Sequence, residues 1–282
     1  MARIRFPRSL VPGRFIRRLN RFAALVKIGG RLTRVHVRNS GRLHELFTPG
    51  RPVLLDPAVT SGRQTRFTLA LVRLPSGYVS ADAHLPNALV AEALRGRSIP
   101  GLAGHRVLRR EPPLGRGRAD FLLIRGGRQC VVEVKSVTLV QDGVALFPDA
   151  PTTRGRKHLT QLIAARRRGL AAALLFVIQR ADVRTFAPNQ AADPEFCAML
   201  RRAVRAGVRV QALRCHVDPV GVRLAASVPV LLDYRNRQRQ PPAWLPARRA
   251  LQPGGRGLRP GGGQRHRSNR KSLSVLGNGE KG

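Results

Sequence analysis

A Gly-Gly pair between two strand-like segments constrains the fold of this chain more than any other feature. Residues 118–136 read RADFLLIRGGRQCVVEVKS, and Gly-Gly at 126–127 suits a two-residue β-hairpin turn. With that turn, Asp120 lies directly opposite Glu133. Side chains alternate along a strand, so Lys135 shares the face of Glu133. The sequence therefore predicts two carboxylates and one ammonium together at one end of a hairpin.

This polar end of the hairpin indicates either a divalent-cation site or a salt-bridged surface. Opposed carboxylates repel each other in a sheet, and a cation removes that repulsion. Mg²⁺ is usually held by one or two carboxylates, water and phosphate oxygens, and it activates a bound water. In the alternative, Lys135 and Arg118 only neutralise the two acids. The opposite face, which includes Phe121 and Val132, is predicted to be the one face that packs in a core.

The scarcity of lysine favours the metal-site interpretation. Only five of the 52 Lys and Arg residues are Lys. Arg would supply charge equally well on a surface, whereas a compact ammonium differs from a guanidinium in its chemistry. Lys135, beside the two carboxylates, is therefore predicted to take part in the chemistry of the site.

The charge balance points to a polyanionic partner. The chain has 52 basic and 15 acidic residues and a formal net charge of +37. DNA, RNA and the ribosome all fit such a charge. The alternative is a basic composition inherited from biased coding, in which the arginines would still bind phosphate. Aromatic residues make up 5% of the chain, which favours contacts with duplex phosphates over stacking on exposed bases.

Two patterns of periodicity divide the chain. Residues 10–80 contain short strands, such as Phe22–Ile28, that suggest a small β-barrel. The remainder alternates helix and strand, with a helix at Lys157–Gly169 and an apolar parallel strand at Leu170–Gln179. A further helix is capped by Asp193, and Val208–Cys215 is predicted to close the sheet. The predicted domains are a barrel at 1–83, an α/β domain at 84–233 and a disordered basic tail at 234–282.

The three cysteines, Cys130, Cys197 and Cys215, form no CxxC motif. Their odd number and scattered positions predict reduced thiols in a cytoplasmic protein.

No apolar stretch reaches the length of a membrane span, so no membrane association is expected.

Specific stretches of the sequence resemble a known family. EVKSVTL, FPDA and TRGRKHL, together with VPGRFIRRLNRFAALV near the N-terminus, resemble the sugar fermentation stimulation protein A family of the PD-(D/E)xK nuclease-like superfamily. The resemblance covers residues 10–230. It implies an α/β fold class with an N-terminal small OB-like β-barrel followed by a nuclease-like α/β domain. It also implies a cytoplasmic, DNA-binding protein with a regulatory link to sugar metabolism.

The same resemblance assigns roles to individual positions. It implies that Asp120 and Glu133 bind Mg²⁺ or Mn²⁺ and act with Lys135 in catalysis, and that Glu92 supplies an additional acid. Residues of the crossover helix and of the barrel are expected to contact DNA phosphates: Arg154, Lys157, His158, Arg17, Arg18 and Arg21.

Three functions remain open at this level: a metal-dependent phosphodiesterase, a DNA-binding regulator without catalysis, and an RNA- or ribosome-associated protein. The hairpin acids favour the first, because carboxylates facing phosphate do not help a protein that only binds DNA. The family description favours the second.

Overall fold

The computed structural model describes residues 2–57, 65–115 and 117–234, which belong to one compact unit. Apart from Tyr234, the predicted basic tail at 234–282 lies outside the described residues. Within the described ranges, no helix combines the length and apolarity that a membrane span requires. The first part of the chain forms β1 (Arg3–Arg5), β2 (Val11–Asn20), β3 (Ala23–Ile28), β4 (Arg31–His36), β5 (Pro52–Pro57), β6 (Phe67–Leu74) and β7 (Gly77–Ser80).

Strands β2 to β6 form a closed barrel. Their order is β4-β3-β2-β5-β6, and a parallel pair between His36 and Thr68 joins the two outer strands. Phe15, Val35 and Leu69 fill the interior and are almost completely buried. The predicted OB-like barrel is therefore confirmed, although β3 begins one residue later than predicted and leaves Phe22 in the preceding turn.

The rest of the described chain forms three helices and eleven strands: α1 (Leu85–Arg95), β8 (Arg106–Arg110), β9 (Pro113–Leu114), β10 (Gly117–Arg118), β11 (Phe121–Arg125), β12 (Arg128–Val137), β13 (Val140–Gln141), β14 (Val144–Phe147), α2 (Thr153–Arg167), β15 (Ala171–Ile178), β16 (Thr185–Pro188), α3 (Pro194–Arg205), β17 (Arg209–Asp218) and β18 (Gly221–Val228).

A seven-stranded mixed sheet organises this second part. Its order is β1-β18-β17-β15-β12-β11-β8, with β12, β15 and β17 parallel to one another. Helices α2 and α3 cross over between these parallel strands and pack on one face, while α1 packs on the other. As predicted, the Asp193 side chain caps α3 by accepting a hydrogen bond of 2.9 Å from the Phe196 amide. This hairpin, crossover helix and parallel strand confirm the predicted nuclease-like α/β fold.

The hairpin register is confirmed. Arg125 pairs with Arg128 and Phe121 with Val132, so Asp120 comes opposite Glu133. The two turn glycines have φ angles of +52° and +75°, as a type I′ turn requires. The prediction that only one face packs was wrong: Val131, on the same face as Glu133, is buried beneath α2 and α3. The crossover helices that a parallel sheet requires cover this second face.

The edge of the sheet also differs from the prediction. The strand predicted at Val208–Cys215 does not close the sheet, because β18 and then β1 continue it. Residues Arg3–Arg5, which the predicted boundary at residue 83 assigned to the barrel, pair with Gly221–Arg223. Pairing between residues so far apart in sequence leaves no local signal in the chain.

The barrel and the sheet share one hydrophobic core. Ala70 and Leu71 of β6 pack with Leu89 of α1 and Val132 of β12. The amide of Ser80 donates a hydrogen bond of 3.2 Å to the carbonyl of Gln179 at the end of the parallel strand β15. These contacts hold one side of the barrel against the edge where β12 and β15 end.

Gly221→Ala tests the contact between β1 and β18. A Cβ atom at 221 would lie 2.3 Å from the carbonyl oxygen of Ile4, so the two backbones would have to separate. We expect the free energy of unfolding to fall by roughly 1–3 kcal/mol and the melting temperature by about 2–12 °C. Gly96→Ala is the matched control, because its Cβ would lie 3.5 Å from the nearest atom. Equal melting temperatures for the two variants would contradict the pairing of β1.

Candidate active site

A cleft of about 590 Å³ lies between the barrel and the ends of the central strands. Asp120, Glu133 and Lys135 line its floor, and Arg154 lines the wall formed by α2. Barrel residues complete the other wall: Phe22, His36, Arg38, Asn39 and Ser40. Both parts of the molecule therefore contribute to a single site.

The Glu133 carboxylate is buried at the centre of this site, with 3% of the residue exposed. Its Oε1 atom lies 2.6 Å from Lys135 Nζ and accepts a hydrogen bond from His158 Nδ1. Burial alone would raise the pKa of Glu133. The hydrogen bond from His158 and the charge of Lys135 outweigh burial and hold this pKa below its usual value. Glu133 therefore stays ionised away from bulk water.

His158 is held in one tautomer by its neighbours. Arg154 Nε donates a hydrogen bond of 3.3 Å to His158 Nε2, so the ring proton lies on Nδ1, which faces Glu133. Helix α2 begins at Thr153, four residues earlier than predicted, because Thr152 Oγ1 caps it by accepting a hydrogen bond of 3.0 Å from Gly155 N. Arg154 and His158 then lie one turn apart on the same helix face.

Asp120 is held by two donors. Its Oδ1 accepts a hydrogen bond of 2.7 Å from Asn87 Nδ2, and its Oδ2 accepts one of 2.7 Å from the Val134 amide. Burial raises the pKa of Asp120, and the nearby charge of Glu133 raises it further, against the opposing effects of the two donors and Lys135. Two carboxylates that repel each other across a cleft provide a charge that a cation would neutralise.

The donor set suits a hard cation with open coordination positions. Within the described ranges, no group of three or more His, Cys, Asp or Glu side chains is arranged to hold a metal. Asp120 and Glu133 provide two carboxylates. The hydrogen bonds from Lys135 and His158 to Glu133 both use Oε1. Two carboxylates with water and phosphate oxygens suffice for Mg²⁺, whereas a closed structural zinc site needs four ligands.

Two predicted site residues lie elsewhere. Glu92 pairs with Arg95 on the surface of α1 and does not line the cleft. It follows Asn87 by five residues and is rotated about 140° from it around the helix, so it cannot share the face that reaches Asp120. Lys157 is exposed and also lies outside the cleft lining.

The barrel arginines have three different environments. Arg18 was predicted to bind DNA, but its guanidinium donates to the carbonyls of Asn20, Arg21, Asn39, Gly41 and Arg42. Burial lowers its pKa, while Asp149 opposes that shift. Arg18 therefore joins the turn before β3 to the loop at 39–42 and leaves no donor for phosphate. Arg17 is exposed, and Arg21 lines a hollow beside the cleft.

Sequence reasoning missed two residues of the site. Asn87 lies in the first turn of α1, and its polar side chain among the apolar residues of LPNALVAEAL was the signal that could have pointed to it. Arg38, which forms an ion pair of 3.3 Å with Asp82, continues the alternation of Arg34 and His36. The alternation is visible in the sequence, which does not show that these residues form a wall of the cleft.

Comparison with known proteins supports this architecture. The family model described as the sugar fermentation stimulation protein RE domain matches residues 84–221, and that of the SfsA N-terminal OB domain matches residues 16–81. A sugar fermentation stimulation protein homolog from Moorella thermoacetica is 44% identical over 231 residues, which are 81% of this chain and 100% of that protein. One from Chloroflexus aurantiacus is 44% identical over 225 residues, 80% of this chain and 87% of that protein.

A solved structure shows the same fold. The structure of Pyrococcus furiosus SfsA in complex with Ca²⁺ has a TM-score of 0.77 and 31% sequence identity, and the match covers 82% of this chain and 99% of that one. The chain therefore belongs to the sugar fermentation stimulation protein family.

Proposed function

We propose that this protein binds DNA and hydrolyses its phosphodiester bonds with the help of Mg²⁺ or Mn²⁺. One observation carries the proposal: Asp120, Glu133 and Lys135 converge in a cleft whose walls include Arg38 and Arg154. Acids at the floor suit a cation, and basic residues above them suit the phosphates that surround a scissile bond.

Asp120 and Glu133 would hold the metal through their carboxylate oxygens. When bound, such a cation activates a water molecule and neutralises charge on the phosphate. The relative from Pyrococcus furiosus was solved in complex with Ca²⁺, another cation that prefers oxygen ligands, which supports divalent-cation binding in this family.

The chain's own residues prepare the site in three ways. Lys135 Nζ, fixed 2.6 Å from Glu133 Oε1, presents its charge where negative charge grows on the phosphate. His158 orients the Glu133 carboxylate through its Nδ1 proton. Arg154, at the N-terminal end of α2, adds a cation where the helix dipole also favours an anion.

The charge of the molecule supports DNA as the partner. A formal net charge of +37 attracts nucleic acid, and phosphate contacts dominate such binding. Three buried free cysteines suit a cytoplasmic location, where thiols stay reduced. We therefore propose a cytoplasmic protein that contacts DNA through its phosphates.

A regulator that binds DNA without cutting it is the second candidate. One observation favours it: Lys135 and His158 already contact the Glu133 carboxylate, so its charge is compensated without a cation. Such a protein would keep the nuclease-like scaffold and the basic walls of its cleft, and it would bind DNA equally well with or without metal.

Metal-dependent cleavage separates these two functions. We expect the purified protein to cut at least one of plasmid, linear duplex and single-stranded DNA with Mg²⁺ or Mn²⁺, and none of them with EDTA. Glu133→Gln removes a ligand charge and should lower the rate by about 100-fold or more, with DNA binding retained. Gel analysis of the products measures both effects.

Glu111→Gln is the matched control for this experiment. Glu111 pairs with Arg118 on the exposed surface, so the same chemical change there should leave cleavage intact. Binding without cleavage in every metal would support the regulator instead. Cleavage of RNA but not of DNA would overturn the choice of substrate.

The raised pKa of Asp120 predicts a pH dependence. A metal ligand must be ionised. The cleavage rate should therefore be highest above this pKa and should fall as the pH drops through it. Glu133, whose pKa is lowered, stays ionised over that range. Asn87→Ala removes a donor that stabilises the Asp120 carboxylate, so the acid limb of the kcat/KM profile should move to higher pH. An unmoved acid limb, with the fold intact at each pH, would contradict this assignment.

Glu92→Gln tests whether that residue ligates the metal. Its pairing with Arg95 outside the cleft predicts cleavage within about twofold of the unaltered protein, as expected for an exposed ion pair. Titration of Mn²⁺ against cleavage rate measures the apparent metal affinity of both proteins. A clearly weakened affinity in Glu92→Gln would bring Glu92 back into the metal site.

A further inference from the structure

A second hollow on the barrel surface continues the cleft. It has a volume of about 610 Å³, and Arg21 and Arg34 are among its lining residues. Phe22 and His36 line both this hollow and the cleft that holds Glu133. The two spaces therefore adjoin at Phe22 and His36, and together we call them the groove that leads from the barrel face to the candidate active site.

Phe22 is an exposed aromatic residue in a basic surrounding. The residue is 51% exposed, and the Arg21 guanidinium carbon lies 5.4 Å from the centre of its ring. Leaving a large aromatic ring in water is unfavourable. Single exposed apolar residues are common on protein surfaces. Phe22 differs because it has a cation beside its ring and lies where the two hollows meet, a setting that suits a flat, anionic partner.

The backbone around Phe22 is rigidly held. The Phe22 amide donates a hydrogen bond of 2.8 Å to Asn20 Oδ1, and its carbonyl accepts one of 2.8 Å from the Val37 amide. Arg18 holds the carbonyls of Asn20 and Arg21 from the other side. The turn therefore fixes the backbone from which the ring projects, which lowers the entropy cost of placing a flat partner against it.

Basic side chains lead along the groove past this ring. Arg34 and His36 lie on one face of β4 and alternate with Val35 and Val37, which are fully buried in the barrel core. Arg38 continues the same alternation into the cleft. A row of cations beside an aromatic ring suits a nucleic-acid strand, whose phosphates and bases recur together.

We propose that Phe22 stacks against an unpaired base, and that the substrate is DNA with a single-stranded segment lying along this groove into the cleft. The faces of bases inside a duplex are covered by their neighbours, so a duplex offers Phe22 nothing to stack on. Every base has such a face, so the contact would not select a sequence. The choice of DNA as ligand rests on the proposed function, whereas the need for an unpaired base rests on Phe22. This preference departs from the duplex expected from the low aromatic content of the sequence.

Binding of labelled DNA to the full chain in EDTA tests the proposal without cleavage. We expect Phe22→Ala to bind a short single strand roughly 5- to 150-fold more weakly than the unaltered protein, the range for losing a stacked base. Binding of a closed duplex of the same length should be unchanged. Phe22→Trp should retain single-strand binding, which shows that an aromatic ring is what the site requires. A strand with abasic sites should bind the unaltered protein and Phe22→Ala equally.

Leu32→Ala is the matched control. Leu32 is also an exposed apolar residue of the barrel, at 63%, but it lines neither hollow, so its loss should leave single-strand binding unchanged. Equal single-strand binding by Phe22→Ala and the unaltered protein would overturn the proposal. So would an equal loss of binding to the single strand and the duplex, or a loss that persists on the abasic strand.

The outcome is separable from that of the proposed function. Phe22-dependent binding of single strands without any metal-dependent cleavage would leave the stacking site standing and remove the hydrolase. Metal-dependent cleavage whose rate and DNA binding are both unchanged in Phe22→Ala would remove the stacking site and leave the hydrolase standing.

Discussion

The buried carboxylate of Glu133 links the electrostatics of this molecule to its packing. A carboxylate with so little exposure persists in ionised form only if nearby cations and donors replace the water that it has lost. Lys135 from the same strand and His158 from α2 provide that replacement. Removing one partner of such a pair typically costs about 3–5 kcal/mol, because a buried charge is left without compensation. The packing of α2 on the sheet and the ionised state of Glu133 therefore depend on each other.

The contact between the barrel and the sheet lies next to this site. Gln179, at the end of β15, donates hydrogen bonds of 2.9 Å to both the Asp82 carbonyl and Ser136 Oγ. Arg180 donates to the Thr138 carbonyl at 3.1 Å and pairs with Asp182. These contacts hold the carboxyl ends of β12 and β15 together and against the barrel. The usual binding position in parallel α/β sheets, at the carboxyl ends of the strands, thus acquires a second wall.

Basic residues in this protein differ in whether they make contacts within the fold or line open space. Arg18 uses its guanidinium to tie together two backbone segments, and Arg156 joins α2 to α3 through Asp193 at 3.0 Å. Arg34, Arg38 and Arg154 instead line open space that leads to the acidic floor. The arginines behind the net charge of +37 therefore include some that stabilise the fold and some that line open space, and only their surroundings distinguish the two.

The sequence by itself determined the features that depend on neighbours along the chain. The hairpin turn and its register, the Asp193 cap and the placing of Asp120, Glu133 and Lys135 at one end of two strands all follow from local rules of spacing and alternation. Only the tertiary structure decided which side chains reach that end from elsewhere. Asn87 rather than Glu92 contacts Asp120, because rotation around α1 turns one toward the site and the other toward solvent. The contacts of Arg18 and Phe22 and the pairing of β1 depend on backbone segments that folding brings together. The order of the residues alone does not give the distances between those segments.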